Sequence, residues 1–327
     1  MSIRRAAAAF VAAIAIVAVP GVSSAQQAPA AKQAPPVARM DIKKLAPDVY
    51  ALENSLGSSN AGFIVTSDGV FVWDADISSG HLVLEAIRKT TDKKVRYVAI
   101  SHPAGDHATG VWHYREDKPL MIATRTQMRD MYMQEQAEFD ERKASNEPAR
   151  AMYKNAELVK PDIAFEGSMT LTFGGLTFQL TEEGNAHSPS DVTLYIPQKR
   201  VMMMGDLLNT DVHPGQGESA MVFFSNPKRW IDVLDRIIAR RLPIDTFLPG
   251  HGVIRIGRGV ADLEEQRRYW VVMRDEMSKM ITAGKSIKEI QAEIKVPAEF
   301  AHYRRPARLR QVLVPMYHQL LERGYNP

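Results

Sequence analysis

The sequence predicts an α/β fold, and three observations predict it. Short β-rich runs alternate with segments whose apolar residues recur at helical spacing. The runs fall into two blocks, each followed by helices, so the chain reads as two similar halves. The run at 95–100 is apolar almost throughout, which fits a strand covered on both faces. Alternation of this kind lays helices against sheets.

The first block opens with β-rich runs at 49–52, 61–66 and 70–74. Ser67-Asp68-Gly69 is a turn signal that makes the last two a hairpin. Residues 79–90 carry Leu82, Val83, Ala86 and Ile87 at helical spacing. The strand at 95–100 and a polar loop follow, and 108–114 opens another helix. Residues 127–158 are polar, with Met128, Met131, Tyr132, Phe139, Met152 and Tyr153 at helical intervals. They predict one or two amphipathic helices on the core, and the adaptable methionines also suit a lid over a site.

The second block has strands at 169–173, 176–181, 192–196 and 201–204, with Gly174-Gly175 marking a hairpin. Residues 227–240 are helical, with Trp230, Val233, Leu234 and Ile237 on one face. Asn226 before Pro227 reads as an N-cap followed by proline at the first helical position. A strand at 245–248 precedes helices at 260–283, 287–294 and 306–323. No tandem repeat of solenoid length is present.

Composition bounds the function. Residues 1–25 read as a secretory signal peptide: Arg4 and Arg5, an apolar core from 6 to 19, then Ser23-Ser24-Ala25. The apolar core is too short to span a bilayer, so no stable span is expected after cleavage, and the expected location is periplasmic or secreted. Residues 26–39, rich in Pro, Ala and Gln, read as a disordered linker. A folded domain over 40–256 and a helical extension over 257–327 complete the expected organisation.

The formal net charge is +3, and loss of Arg4 and Arg5 lowers it by two to +1. No basic cluster is interleaved with aromatics, which speaks against nucleic acid as a partner. Arg304, Arg305, Arg308 and Arg310 read as a solvated helix face. The chain has no cysteine, so disulfides, thiolate metal ligands and a cysteine nucleophile are excluded.

Four polar pieces each follow a β-rich run. They are Ser101-His102-Pro103-Ala104-Gly105-Asp106-His107, Gly184-Asn185-Ala186-His187, Gly205-Asp206, and Pro249-Gly250-His251. Strand ends on one edge of a sheet converge in space, and imidazoles with carboxylates suit zinc or a similar divalent ion.

In order and spacing the pieces resemble the metallo-β-lactamase superfamily of metal-dependent hydrolases. That family's first motif reads His-x-His-x-Asp-His, and its second histidine falls here on Ala104, which has no donor atom. The resemblance implies a four-layer αββα sandwich with extra C-terminal helices and with metals at one edge between the sheets. It implies a first metal site from His102 and His187 and a second from Asp106, His107 and His251, with Asp206 bridging. The second site is complete and the first lacks a ligand, so one strong site is expected. Zinc is the expected ion, with iron or manganese as further ions this donor set accepts.

Asp74, ending the run Phe71-Val72-Trp73-Asp74, looks like the family's position that braces a metal histidine. His213 is the one remaining histidine nominated for the gap at Ala104. Its other reading is a loop histidine facing solvent or substrate. His81, His113, His302 and His318 read as structural or exposed.

The expected activity is hydrolysis of an ester, lactone, thioester or amide (a β-lactam included) by metal-activated water. Asp106 or Asp206 would orient that water or take its proton, and Asp106 is the nominated catalytic residue. The rival expectation is a binding protein of the same fold that lost its chemistry with Ala104. The expected partner is a small-molecule substrate. The sequence leaves the substrate and the oligomeric state open.

Overall fold

A computed structural model describes residues 40–54, 58–215 and 225–324. The expected signal peptide and the whole of the expected linker lie outside the described residues, as does the part of the loop around His213 from 216 onward. Two sheets form the centre. The first has seven strands in sequence order: β1 (Met40–Ala46), β2 (Val49–Asn54), β3 (Ala61–Val65), β4 (Val70–Trp73), β5 (Val95–Ala99), β6 (Leu120–Thr124) and β7 (Ile163–Phe165). The strands from β1 to β4 pair antiparallel, and those from β4 to β7 pair parallel.

The second sheet runs β12-β11-β10-β9-β8, from β8 (Ser168–Phe173), β9 (Leu176–Gly184), β10 (Asp191–Ile196), β11 (Val201–Thr210) and β12 (Thr246–Gly252). It is antiparallel except for the parallel pair β11 and β12.

The two-residue period of a strand builds four layers from these sheets. In β4, Phe71 and Trp73 face the second sheet while Val70 and Val72 face outward. In β11, Val201 and Met203 face the first sheet while Met202 and Met204 face the other way. The inner faces interlock, and Phe71 stacks on Phe178 across the gap with ring centroids 4.5 Å apart.

The outer face of the first sheet is covered by α1 (Gly80–Thr90), through Val83, Ala86 and Ile87, and by Val111 and Tyr114 of the 3₁₀ segment Thr109–Asp117. The outer face of the second sheet is covered by α5 (Pro227–Ala239), α6 (Ala261–Thr282), α7 (Ile287–Glu293) and α8 (Pro306–Gly324). Trp230 of α5 and Trp270 of α6 meet in this outer core, and the fold is the expected αββα sandwich with helices added at its C-terminal end.

Local signals set the element ends. Asn226 caps α5 by accepting from the Arg229 N–H at 3.1 Å, with Pro227 at the first position. The sequence reading missed β1, β6 and β7. Strand β1 is an exposed edge with little burial, and β7 has three residues.

The segment 127–158 differs from one or two regular helices. It comprises α3 (Arg125–Asp130), a π-helical turn (Met131–Glu135), α4 (Gln136–Ala144) and a 3₁₀ turn (Pro148–Tyr153). Met131, Phe139 and Tyr153 are buried, whereas Tyr132, Met133 and Met152 are exposed. The segment therefore packs on the core with one face and borders a cavity with another.

The π turn buries Glu135 with no hydrogen-bond partner among the described residues for either carboxylate oxygen. Burial, with the nearby Glu138 charge, pushes its pKa up to about 8 from 4.5. An unfolded chain releases this proton near the lower value and the folded chain near the upper one. Folding stability therefore falls as pH rises from about 4.5 to about 8. Glu135→Gln keeps the shape and removes the titration. Its stability is expected to gain on that of the parent as pH rises through this window, by an amount on the order of a few kcal/mol at the upper end, with the melting temperature rising relative to the parent accordingly. Thermal melts at pH 5 and pH 8.5 check this, and parallel pH profiles for the two proteins would contradict it.

Candidate metal centre

The site lies where strand ends from both sheets meet. Asp74 follows β4, Ser101 and His102 follow β5, and α2 (Gly105–Ala108) carries Asp106 and His107. From the second sheet come His187 in the turn after β9, Asp206 inside β11 and His251 inside β12.

Several tethers fix these ends. The Val192 N–H donates to the Ser101 carbonyl at 2.9 Å, joining the sheets. Gln127 Nε2 donates to the carbonyls of Ser101 and Ser190 at 2.8 and 3.0 Å. Asp191 shapes the His187 turn by accepting from the N–H groups of Ala186, His187 and Ser188 and from Ser188 Oγ. Asn60 holds the β12 piece, donating through Nδ2 to the carbonyls of Pro249 and Gly252. Gly250 lies so close to the site that an added Cβ would sit 2.1 Å from Asp206 Oδ1.

Asp74 is wholly buried and organises the first-sheet side. Its Oδ1 accepts the Ser101 N–H at 2.6 Å, and its Oδ2 accepts Ser101 Oγ at 2.9 Å and His107 Nδ1 at 2.9 Å. Since the Ser101 hydroxyl donates to Asp74, it accepts from His102 Nδ1 at 3.0 Å. Both rings thus turn Nε2 inward. His102 Nε2 and His107 Nε2 are buried and have no hydrogen-bond partner among the described residues. Such an orphaned group costs about 1–3 kcal/mol unless something binds it.

The second-sheet side is built the same way. His251 Nδ1 lies 2.6 Å from Asp206 Oδ1, and its Nε2 lies 3.0 Å from both Asp106 Oδ2 and Arg308 Nη2. A guanidinium only donates, so His251 Nε2 accepts from Arg308 and Nδ1 carries the proton given to Asp206. The Nε2 lone pair then faces the Asp106 carboxylate, acceptor against acceptor.

The opposition is relieved by a cation. Donor atoms of Asp106, His107 and His251 lie within 4.8 Å of one another, as do those of His102, His107 and Asp206. His187 Nε2 is 3.4 Å from Asp206 Oδ2, and its ring centroid is 4.5 Å from that of His102. The donor set of neutral nitrogens and hard oxygens fits a divalent ion.

Electrostatics point the same way. Burial, with the charge of His107 and then His187, holds His102 well below the ordinary imidazole value. Burial brings His187 down to about 4. Although burial opposes it, the charges of His251 and His107 hold Asp206 well below the carboxylate range. Asp106 is also lowered, against burial, chiefly by His107 and His251. His107 is raised despite burial because Asp74, Asp106 and Asp206 surround it. An arriving cation displaces the proton those carboxylates hold.

All six nominated side chains, His102, Asp106, His107, His187, Asp206 and His251, come together. Ala104 caps α2 and borders the cavity beside His102 and His187. Among the described residues no side chain fills its place in the way proposed for His213. That ring is buried elsewhere, bonded through Nδ1 to the Tyr269 hydroxyl at 2.8 Å and set at an angle against Tyr269 and Tyr303. Its burial brings its pKa to about 4, and it is structural, facing neither solvent nor the site.

A Cβ on Gly105 would sit 2.5 Å from Arg142 Nη1. The arginine run at 304–310 is not one solvated face. Arg304 and Arg310 are exposed, but Arg308 is 8% exposed and reaches His251. Nothing in the sequence pattern separates it from its neighbours.

Above the donors lies a cavity of about 780 Å³. Its walls include Ile77, Met152 and Tyr153, together with Arg142, Arg150 and Arg308.

A two-sheet sandwich with a histidine and aspartate cluster at one edge defines a class of metal-dependent hydrolases. The sequence model of the metallo-beta-lactamase superfamily matches residues 54–251, more than half of the chain, and the chain belongs to that superfamily. It is 21% identical over 269 residues to a linear primary-alkylsulfatase of Pseudomonas sp. (strain ATCC 19151), covering 73% of this chain and 50% of that protein. The stereoselective inverting sec-alkylsulfatase Pisa1 of Pseudomonas sp. superposes with a TM-score of 0.65 at 18% identity, over 86% of this chain and 50% of that one. A metallo-beta-lactamase of Pontibacter korlensis superposes with a TM-score of 0.55 at 15% identity, over 71% and 99%. The chain therefore spans about half the length of the alkylsulfatases it matches. The family is one of metallo-hydrolases, and its fold implies divalent metal at this edge.

Asp74→Asn tests the bracing of His107. Asparagine tolerates the positive φ of 57° found there, so the backbone persists. Loss of the acceptor is expected to weaken zinc binding about 10–100-fold, read by competition with a chromogenic chelator. Unchanged affinity would show that His107 needs no brace.

Proposed function

We propose that this chain is a hydrolase of anionic esters, with sulfate monoesters as the foremost class, that uses one strongly held zinc ion. The observation that carries the reading is the opposed acceptor set of Asp106, His107, His251 and Asp206 on the floor of an open cavity. The alkylsulfatase likeness supports a sulfate ester, and the mixed wall suits one. Ile77, Met152 and Tyr153 offer apolar contact to an alkyl chain, and arginines offer charge to its head group. The leader pattern at 1–25 supports a periplasmic or secreted location.

Asp106, His107 and His251 would hold the ion, with one oxygen of Asp206, and the ion would take the His251 Nε2 lone pair from Arg308 Nη2. His102, His187 and the other Asp206 oxygen form a weaker place beside Ala104. A bound divalent ion supplies Lewis acidity and brings the pKa of coordinated water toward about 7. Asp74 fixes the His107 tautomer, and Asp206 is held in place by His251 and His187. Asp106 is the better placed proton acceptor, since its side chain is 35% exposed toward the cavity and that of Asp206 only 4%. Hydrolysis adds hydrogen to the alcohol oxygen and hydroxyl to the acid fragment, giving an alcohol and hydrogen sulfate.

Elemental analysis after dialysis is expected to find roughly one ion per chain. His251→Ala should remove most of the binding and His102→Ala less. Ala104→His is expected to add a second ion, read as a rise in stoichiometry on zinc titration. Two tightly held ions in the parent protein would overturn the one-site reading. No turnover of alkyl sulfates, phosphate esters or activated carboxylate esters by the zinc-loaded protein would overturn the enzymatic one in favour of a binding protein.

A further inference from the structure

Arg308 belongs to the C-terminal helices, outside the residues that match the superfamily. Its position is nevertheless built. Strand β11 leads into Val212, which forms a parallel bridge with Arg304. The Arg304 N–H donates to the Asp211 carbonyl at 2.9 Å, and the His213 N–H donates to the Arg304 carbonyl at 2.9 Å. The Tyr303 hydroxyl donates to Glu265 at 3.0 Å, and His302 meets Asp211 at 3.1 Å. Helix α8 starts from this mount, which the Val212–Arg304 bridge ties to the end of β11, and its first turn delivers Arg308 to the cavity beside Asp106, His187 and Asp206.

The side chain is more than nine-tenths buried. Its Nη2 donates to His251 Nε2, while its Nη1 is buried with no partner among the described residues. A guanidinium presents donors in a fork that matches two oxygens of an oxyanion. A desolvated, half-satisfied fork in a substrate cavity is therefore a receptor for an anion.

We propose that Arg308 is the anion clamp of this site, binding the charged oxygens of the substrate's head group and of the acid product. The substrate half of this assignment rests on the hydrolase reading, whereas the anion-binding half does not.

The test uses the full chain, first without metal and then loaded with zinc. Titration calorimetry of the metal-free chain with inorganic sulfate and with inorganic phosphate is expected to show binding that Arg308→Ala weakens at least tenfold. Arg308→Lys, which keeps the charge and loses the fork, should fall between the two. Arg310→Ala, on the exposed face, should bind as the parent does. Melting curves confirm that each variant is folded.

With zinc, Arg308→Ala should lose at least tenfold more kcat/KM on 4-nitrophenyl sulfate or phosphate than on neutral 4-nitrophenyl acetate, with the excess loss carried by KM. The sulfate and phosphate arms show which head group the clamp prefers. Anion affinity unchanged in folded Arg308→Ala, or equal losses on charged and neutral esters, overturns the proposal. Sulfate binding through Arg308 without hydrolysis of any ester supports the clamp and overturns only the enzymatic reading.

Discussion

The whole site hangs on a carboxylate that faces neither substrate nor solvent. Asp74 ends β4 in a left-handed backbone conformation and accepts three hydrogen bonds from Ser101 and His107. Those bonds fix the end of β5, the rotation of α2 and, through the serine hydroxyl, the tautomer of His102. A fully buried carboxylate is tolerable only when its acceptors are met, so the strand ends and the carboxylate stabilise each other. Without it, two imidazoles would be free to turn away from the centre.

The second sheet adds closeness to its own carboxylate braces, Asp206 on His251 and Asp191 on the His187 turn. Gly250 lets β12 pass against Asp206, and Asn60 reaches from the first sheet to hold the same stretch. The centre is thus clasped from both sheets, and the interlocked aromatic layer behind it sets their spacing. The unsatisfied inward nitrogens are the cost of this preorganisation, recovered when a cation binds.

Much of this was legible in the sequence. Polar pieces such as Gly205-Asp206 and Pro249-Gly250-His251 stand out because each interrupts an apolar run, and strand ends are where α/β proteins gather ligands. Strand β1 was not legible because an exposed edge strand shows too little apolar alternation. The fate of His213 was not legible either, since a histidine packed against two tyrosines is written with the same letter as one that binds metal. Arg308 shows the limit most clearly. Four arginines within seven residues describe a basic helix start, and only the docking of that turn against Asp211 selects which one is buried.

The mount of α8 has a consequence for access to the centre. Arg308 reaches the cluster from 57 positions beyond His251, on a segment held by the Val212–Arg304 bridge and by the Arg304 N–H bond to the Asp211 carbonyl. The cluster is therefore covered on that side by contacts that none of its own donors makes, and whatever loosens them opens a route to the donors.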